Sequence, residues 1–212
     1  MFRLFSRIKP GLAVIAAGCY LLAGNAYAED LNPKFFYFYN GQTPGNWTLQ
    51  IADPGGWGIN VVDKTGKSNN AKIKVSPENY NAEGDAIRAV WSRKKMRGEI
   101  KVAGSAIDIS EYKDQAALTF DLKINAKPKK DVLVGIDCHY PCRAEVSISK
   151  QLRKRSNGEW FIFPIPLNCF KSDDFDLSKV NAFMISTEGK LNLSIANVRL
   201  ERLPEGEAGC SD

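Results

Sequence analysis

Val132-Leu133-Val134-Gly135-Ile136 and Ala144-Glu145-Val146-Ser147-Ile148 stand on either side of Cys138-His139-Tyr140-Pro141-Cys142. Each flank is a short apolar or alternating run, and the five residues between them are a cysteine-bounded turn, so the segment reads as two strands and a loop. It continues through Gly158-Glu159-Trp160 into Ile165-Pro166-Leu167-Asn168-Cys169-Phe170. Outward from there the same kind of run recurs at Ala86 to Trp91, Ala116 to Ile124, Trp160 to Ile165, Ala182 to Ser186 and Leu191 to Leu203. Turn residues separate the runs at intervals of roughly 10 to 15 residues, the spacing of a sandwich or jelly roll. In Leu118-Thr119-Phe120-Asp121-Leu122-Lys123-Ile124 the even positions are apolar and the odd ones polar. One face of that strand is therefore buried and the other meets solvent or ligand. Only Ile148 to Arg155 suggests a helical turn, and neither a heptad nor an internal repeat is visible.

Two further blocks complete the pattern: Gly84-Asp85-Ala86-Ile87-Arg88-Ala89-Val90-Trp91 upstream, and Ser186-Thr187-x-Gly189-Lys190-Leu191-x-Leu193-Ser194-Ile195-x-Asn197-Val198-Arg199-Leu200 downstream. In this order the blocks resemble the galactose-binding-like domain at the C-terminus of ExoP-type exo-β-glucanases, large family 3 glycoside hydrolases. The resemblance runs from about Pro44 to Leu200. It implies an all-β, galactose-binding-like jelly-roll β-sandwich. It covers the accessory module alone, without the catalytic barrel or second domain of those enzymes, and so implies binding rather than cleavage.

The N-terminus reads as a signal peptide over residues 1–28. Arg3, Arg7 and Lys9 precede the apolar Gly11 to Leu22, and Ala26-Tyr27-Ala28 is a small-x-small site that places cleavage after Ala28. The apolar run is shorter than the roughly 20 residues a membrane span requires. Cys19, after Ala16-Ala17-Gly18, offers a weaker lipoprotein alternative. The chain carries 29 Lys plus Arg against 24 Asp plus Glu, and three of its surplus positive charges lie in this leader. What remains is nearly balanced, which argues against nucleic acid as a partner. Basic clusters at Arg93-Lys94-Lys95-x-Arg97, Lys127-x-Lys129-Lys130 and Lys150-x-x-Arg153-Lys154-Arg155 fall near turns or strand edges and read as solvated faces.

Four cysteines follow the leader, and their even number in an exported chain suggests disulfides. Cys138 and Cys142 can pair, since a three-residue spacer in a turn brings Cα atoms within the ~4.4–6.8 Å that a disulfide needs. The resemblance covers Cys169 but supplies no counterpart for Cys210, so their pairing stays open. A zinc site of Cys138, His139, Cys142 and Cys169 is the alternative.

Catalytic signals are sparse. His139 is the single histidine, and no Gly-x-Ser-x-Gly elbow, P-loop or Gly-x-Gly-x-x-Gly fingerprint occurs. Sugar binding needs an aromatic side chain to stack on a pyranose face and polar groups at the rim for its hydroxyls. Trp47 and Trp57 bracket the turn Asp53-Pro54-Gly55-Gly56, and Asp137, His139, Arg143 and Glu145 surround the cysteine loop. With Arg88 these are the candidate ligand-binding residues. Trp91 and Trp160, inside strand-like runs, read as core. Asp85 after Gly84 reads as a turn cap or as a contributor to a possible structural calcium site.

The expected organisation is a signal peptide over 1–28, an aromatic segment over 29–43, the sandwich over 44–203 and a flexible tail over 204–212. Phe35-Phe36-Tyr37-Phe38-Tyr39 is expected to form an added strand or a docking segment. The expected function is non-catalytic binding of a polysaccharide or oligosaccharide, a β-glucan or related glycan, in the periplasm or outside the cell. The alternative is an envelope module that docks a protein partner.

Overall fold

The computed structural model describes residues 35–204 and 206–210. The expected signal peptide, Cys19 and the first part of the aromatic segment lie outside the described residues.

Among the described residues thirteen strands build two antiparallel sheets, as the alternating runs require. The first sheet joins β1 (Phe36–Phe38), β4 (Gly66–Lys67), β5 (Ile73–Glu78), β6 (Ala86–Trp91), β8 (Ala116–Ala126), β11 (Trp160–Pro166) and β13 (Leu191–Arg202). Its order is β11-β8-β13-β6-β5-β4, with β1 added onto β13. The second has the order β10-β9-β12-β7-β2-β3, from β2 (Thr48–Asp53), β3 (Gly56–Asn60), β7 (Gly98–Ile107), β9 (Val132–Asp137), β10 (Arg143–Ser147) and β12 (Val180–Thr187). The one α-helix among the described residues, α1 (Ser149–Lys154), occupies the predicted helical turn.

Leu118, Phe120, Leu122 and Ile124 from the first sheet share one core with Ile51, Ile100, Val102, Phe183 and Ile185 from the second. Each of these strands alternates, so a single register turns these core side chains inward and Thr119, Asp121 and Lys123 of β8, with Glu99 and Lys101 of β7, outward. Of the predicted core tryptophans, Trp91 is fully buried and its indole N–H donates to the Gly98 carbonyl at 2.9 Å. Trp160 is a correction: opposite Lys123 in the β8 pairing, it lies on the outer face of the seven-stranded sheet. Phe36, Tyr37 and Phe38 are buried, so most of the aromatic run is structural. The burial of a side chain such as Phe38 contributes about 1.5–3 kcal/mol.

Cys138 pairs with Cys142 and Cys169 with Cys210, with Cα separations of 5.0 and 5.1 Å. These bonds consume the thiols that the zinc alternative required. The second bridge ties the tail back to the sandwich; closing a loop of sequence separation 41 is worth up to about 4 kcal/mol in the chain-entropy account. Lys72 supplies an internal clamp with no sequence signal. Its side chain is fully buried, and its ammonium donates to the carbonyls of Ser92, Lys94, Glu188 and Gly189 at 2.9–3.1 Å.

Asp85 has the geometry of the turn cap. Its carboxylate accepts the backbone N–H groups of Tyr80, Asn81 and Ala82 at 2.7–2.8 Å. Burial alone would raise its pKa, but these hydrogen bonds hold it below the ordinary 3.8. Both of its oxygens are engaged by backbone donors, and no group of three or more His, Cys, Asp or Glu among the described residues is arranged to hold a metal.

Candidate functional site

The outer face of the six-stranded sheet carries an open groove of about 660 Å³. Its lining joins the β2–β3 hairpin at one edge of the sheet to the cysteine loop at the other.

The hairpin end begins with Asp53, whose buried carboxylate accepts the N–H of Gly55 at 2.8 Å and of Asn70 at 2.9 Å. Gly55 and Gly56 fit because a Cβ on either would come within 3 Å of an asparagine side chain, Asn70 or Asn69. The pairing shifts register between Ile51 and Ala52, so that Trp57 stands opposite Ala52 on the outer face. Its indole is 58% exposed. At the other end the Cys138–Cys142 bridge and the hydrogen bonds Cys138 N–H to Cys142 O and Cys142 N–H to His139 O close a tight ring. That ring holds Tyr140 outward at 96% exposure, and Tyr140 and Pro141 line the groove.

Between the two aromatics lies an ion-pair network. Glu99, Asp137, Arg143 and Glu145 project from β7, β9 and β10 on the outer face, with Arg97 just before β7. Arg143 grips Asp137 with Nε and Nη2 at 2.5 and 3.0 Å and reaches Glu99 with Nη1 at 2.9 Å. Arg97 meets the same Glu99 oxygen with Nε at 2.7 Å and pairs with Glu145. Glu99 is thus a nearly buried carboxylate, 1% exposed, clamped by two guanidinium groups. Burial would lower the Arg143 pKa, but its bonds to Asp137 and the charges of Glu99 and Asp137 raise it; Arg97 is raised in the same way through Glu145 and Glu99. Both stay cationic and hold the floor of the groove rigid. Lys101, beside Met184 on the outer face, adds a cation to the lining. In one row across the sheet Trp57, Ala52 and Glu99 follow on successive strands, about 10 Å from first to last at ordinary strand spacing.

The candidates from the sequence fare unequally. Trp57, Asp137, Arg143 and Glu145 come together at this face. His139 lies beside it: its backbone N–H donates to Asn181 Oδ1 at 3.2 Å, and its ring faces the same side chain. Trp47 is a correction, because it is buried, stacks on Phe183 at 5.7 Å and packs against Tyr37 at 4.7 Å. It lies so close over Gly104 that a Cβ there would sit 2.7 Å from the indole. Arg88 does not join the residues at this face: it is exposed on β6 in the other sheet, where its Nε donates to Asn192 at 3.0 Å. Sequence reasoning missed Arg97, Glu99, Lys101 and Tyr140. Tyr140 carried a signal, being the aromatic inside the cysteine loop, whereas Arg97 sat in a basic run and Glu99 in an ordinary strand.

The sequence matches the family described as galactose-binding domain-like over residues 46–200. No curated protein matches it. Among solved structures the fold is similar to an exo-1,3/1,4-β-glucanase, EXOP, from a Pseudoalteromonas species, with 18% identity and a TM-score of 0.66 over 81% of this chain. That match spans 21% of the glucanase. The extra C-terminal domain of the same enzyme, solved alone, gives 16% identity and a TM-score of 0.65 over 84% of this chain and 99% of the domain. The family 30 carbohydrate-binding module of a cellulosomal cellulase, CEL9D-CEL44B, from Clostridium thermocellum gives 16% and 0.57 over 82% and 98%.

Proposed function

Because this chain belongs to the galactose-binding-like family of ExoP C-terminal domains, we propose that it is a non-catalytic carbohydrate-binding module, exported to the periplasm or outside the cell, that takes a β-glucan or related glycan in the groove between Trp57 and Tyr140. The observation that carries this reading is the pair of exposed aromatics flanking a floor of rigidly paired polar groups. A pyranose needs an apolar platform for its C–H face and fixed donors and acceptors for its hydroxyls, and both are present side by side. The carbohydrate-binding modules and the glucanase domain that share the fold support the same reading. So does the state of the acids. A glycoside hydrolase works with two carboxyl groups across a cleft, one of them a proton donor. Here Glu99, Asp137 and Glu145 are each bound to Arg97 or Arg143. The two disulfides support export. No described helix is long and apolar enough to cross a membrane.

The test is migration of the purified, oxidised protein through native gels containing laminarin, mixed-linkage glucan, xylan, galactan or no polymer, with and without a calcium chelator. Retardation by a glycan, lost in both Trp57→Ala and Tyr140→Ala, supports the reading. Unaltered migration in every polymer refutes it and turns the search to a protein partner.

A further inference from the structure

Three basic runs that the sequence offers as unrelated solvated edges converge in space. Arg97 from the first, Lys129 and Lys130 from the second and Arg153 from the third line one groove of about 440 Å³, together with Asp131 and Glu188. It shares Arg97 with the Trp57–Tyr140 groove, so the two hollows adjoin along the same face.

The pairing of charges in this second groove is incomplete. Arg97 is engaged by Glu99 and Glu145. Glu188 reaches Lys130 at 3.7 Å, and the Asp131 carboxylate accepts the Ser149 hydroxyl at 3.3 Å. Lys129 and Arg153 are exposed and have no anionic partner among the described residues. Behind the groove the Lys72 ammonium is bound only by carbonyls, two of them those of Glu188 and Gly189 at its border. Burial first, and then the charge of Lys130, lowers the Lys72 pKa, while Glu188 opposes them. The lining thus sets four cations, Arg97, Lys129, Lys130 and Arg153, against two carboxylates, Asp131 and Glu188; Arg97 and Lys130 have acidic partners, and Lys129 and Arg153 stand free. A cleft with an excess of one sign of charge focuses the field and raises the local concentration of counter-ions.

We propose that this groove is an anion subsite continuous with the aromatic one, and that the glycan carries carboxylate or sulfate groups. A neutral ring stacks at Trp57 and Tyr140 while a neighbouring acidic sugar places its anion against Lys129 and Arg153. This inference rests on the carbohydrate-binding reading above and moves its ligand from a neutral β-glucan to an acidic related glycan.

The experiment compares apparent affinities for polygalacturonate, a sulfated galactan, neutral galactan, laminarin and inorganic polyphosphate, at low and high salt. At low salt an acidic polysaccharide should bind at least about tenfold tighter than its neutral counterpart, and high salt should erase that advantage through screening. The response to uronate against sulfate identifies the anion. Lys129→Gln with Arg153→Gln, both at exposed positions, should reduce the acidic preference about tenfold, while Trp57→Ala abolishes binding of the acidic polymer as well. Preference retained in the double variant overturns the proposal, as does polyphosphate binding that matches the polysaccharide and ignores Trp57→Ala. Binding of neutral polymers with no acidic preference overturns this inference but leaves the module reading standing; binding of none overturns both.

Discussion

The outer faces of the two sheets carry similar chemistry and differ in one respect. On the seven-stranded sheet Arg199 meets Asp121 at 3.0 Å, with both side chains under a tenth exposed, and Asn197 and Glu201 complete the network. Trp160 lies there too, but Tyr80 covers it edge-on at 4.8 Å and the Lys123 ammonium sits 4.9 Å from its ring. Tyr80 is held there by the β5–β6 loop, whose backbone Asp85 gathers. On the six-stranded sheet Arg143, Arg97 and Glu99 form the corresponding network, and Trp57 stands exposed beside it. A tryptophan beside arginine–carboxylate pairs is thus not in itself a site. Whether a loop folds over it decides between structure and binding, because only an uncovered indole can exchange water for a ligand.

The largest test of this contrast is Arg199→Ala. It leaves Asp121 buried without its cation and should cost about 3–5 kcal/mol in urea unfolding, while glycan retardation at the folded temperature is retained. Loss of binding at full foldedness would break the contrast. Trp57→Ala should do the reverse, weakening glycan binding by at least about 2 kcal/mol, or about thirtyfold, with stability changed by less than about 0.5 kcal/mol. Its companion Trp160→Ala should leave binding intact. Replacing Cys138 and Cys142 together by alanine should cost up to about 2 kcal/mol for so short a ring and weaken binding further than Trp160→Ala does, since Tyr140 loses its fixed presentation.

The smallest effect concerns the covering loop. The Asp85 carboxyl is held below 3.8 when folded, so the unfolded chain takes up a proton first as acid is added. The stability it contributes is present above about pH 4 and is lost as pH falls through the unfolded value towards the folded one. Asp85→Asn should cost about 1.5 kcal/mol near neutrality and flatten the acid side of the melting-temperature profile. An unchanged profile would show that this loop is not what closes the face.

The strand runs, the sandwich, the short helix and the Cys138–Cys142 ring were legible because each rests on local periodicity or spacing. Part of the site was legible for the same reason: Asp137, Arg143 and Glu145 flank a loop whose composition advertises itself. Trp47 and Trp57 show where this ended. Both border the same turn-rich stretch, yet one stacks on Phe183 and the other faces solvent, an outcome set by the smallness of Gly104 on another strand and by a register shift in the hairpin. Lys72 had no signal at all, since its four carbonyl partners come from two distant turns.

Sequence by itself therefore determined the all-β class, the inward and outward faces of regularly alternating strands such as β8 and the oxidised character of the chain, all of which follow from side-chain order along one strand or one loop. Only tertiary structure decided which tryptophan is exposed, which carboxylates the arginines bind, and that three separate basic runs border one groove. Those outcomes depend on which strands become neighbours and which loops fold over them, and residues 44 to 116 positions apart meet there through packing that no local pattern encodes.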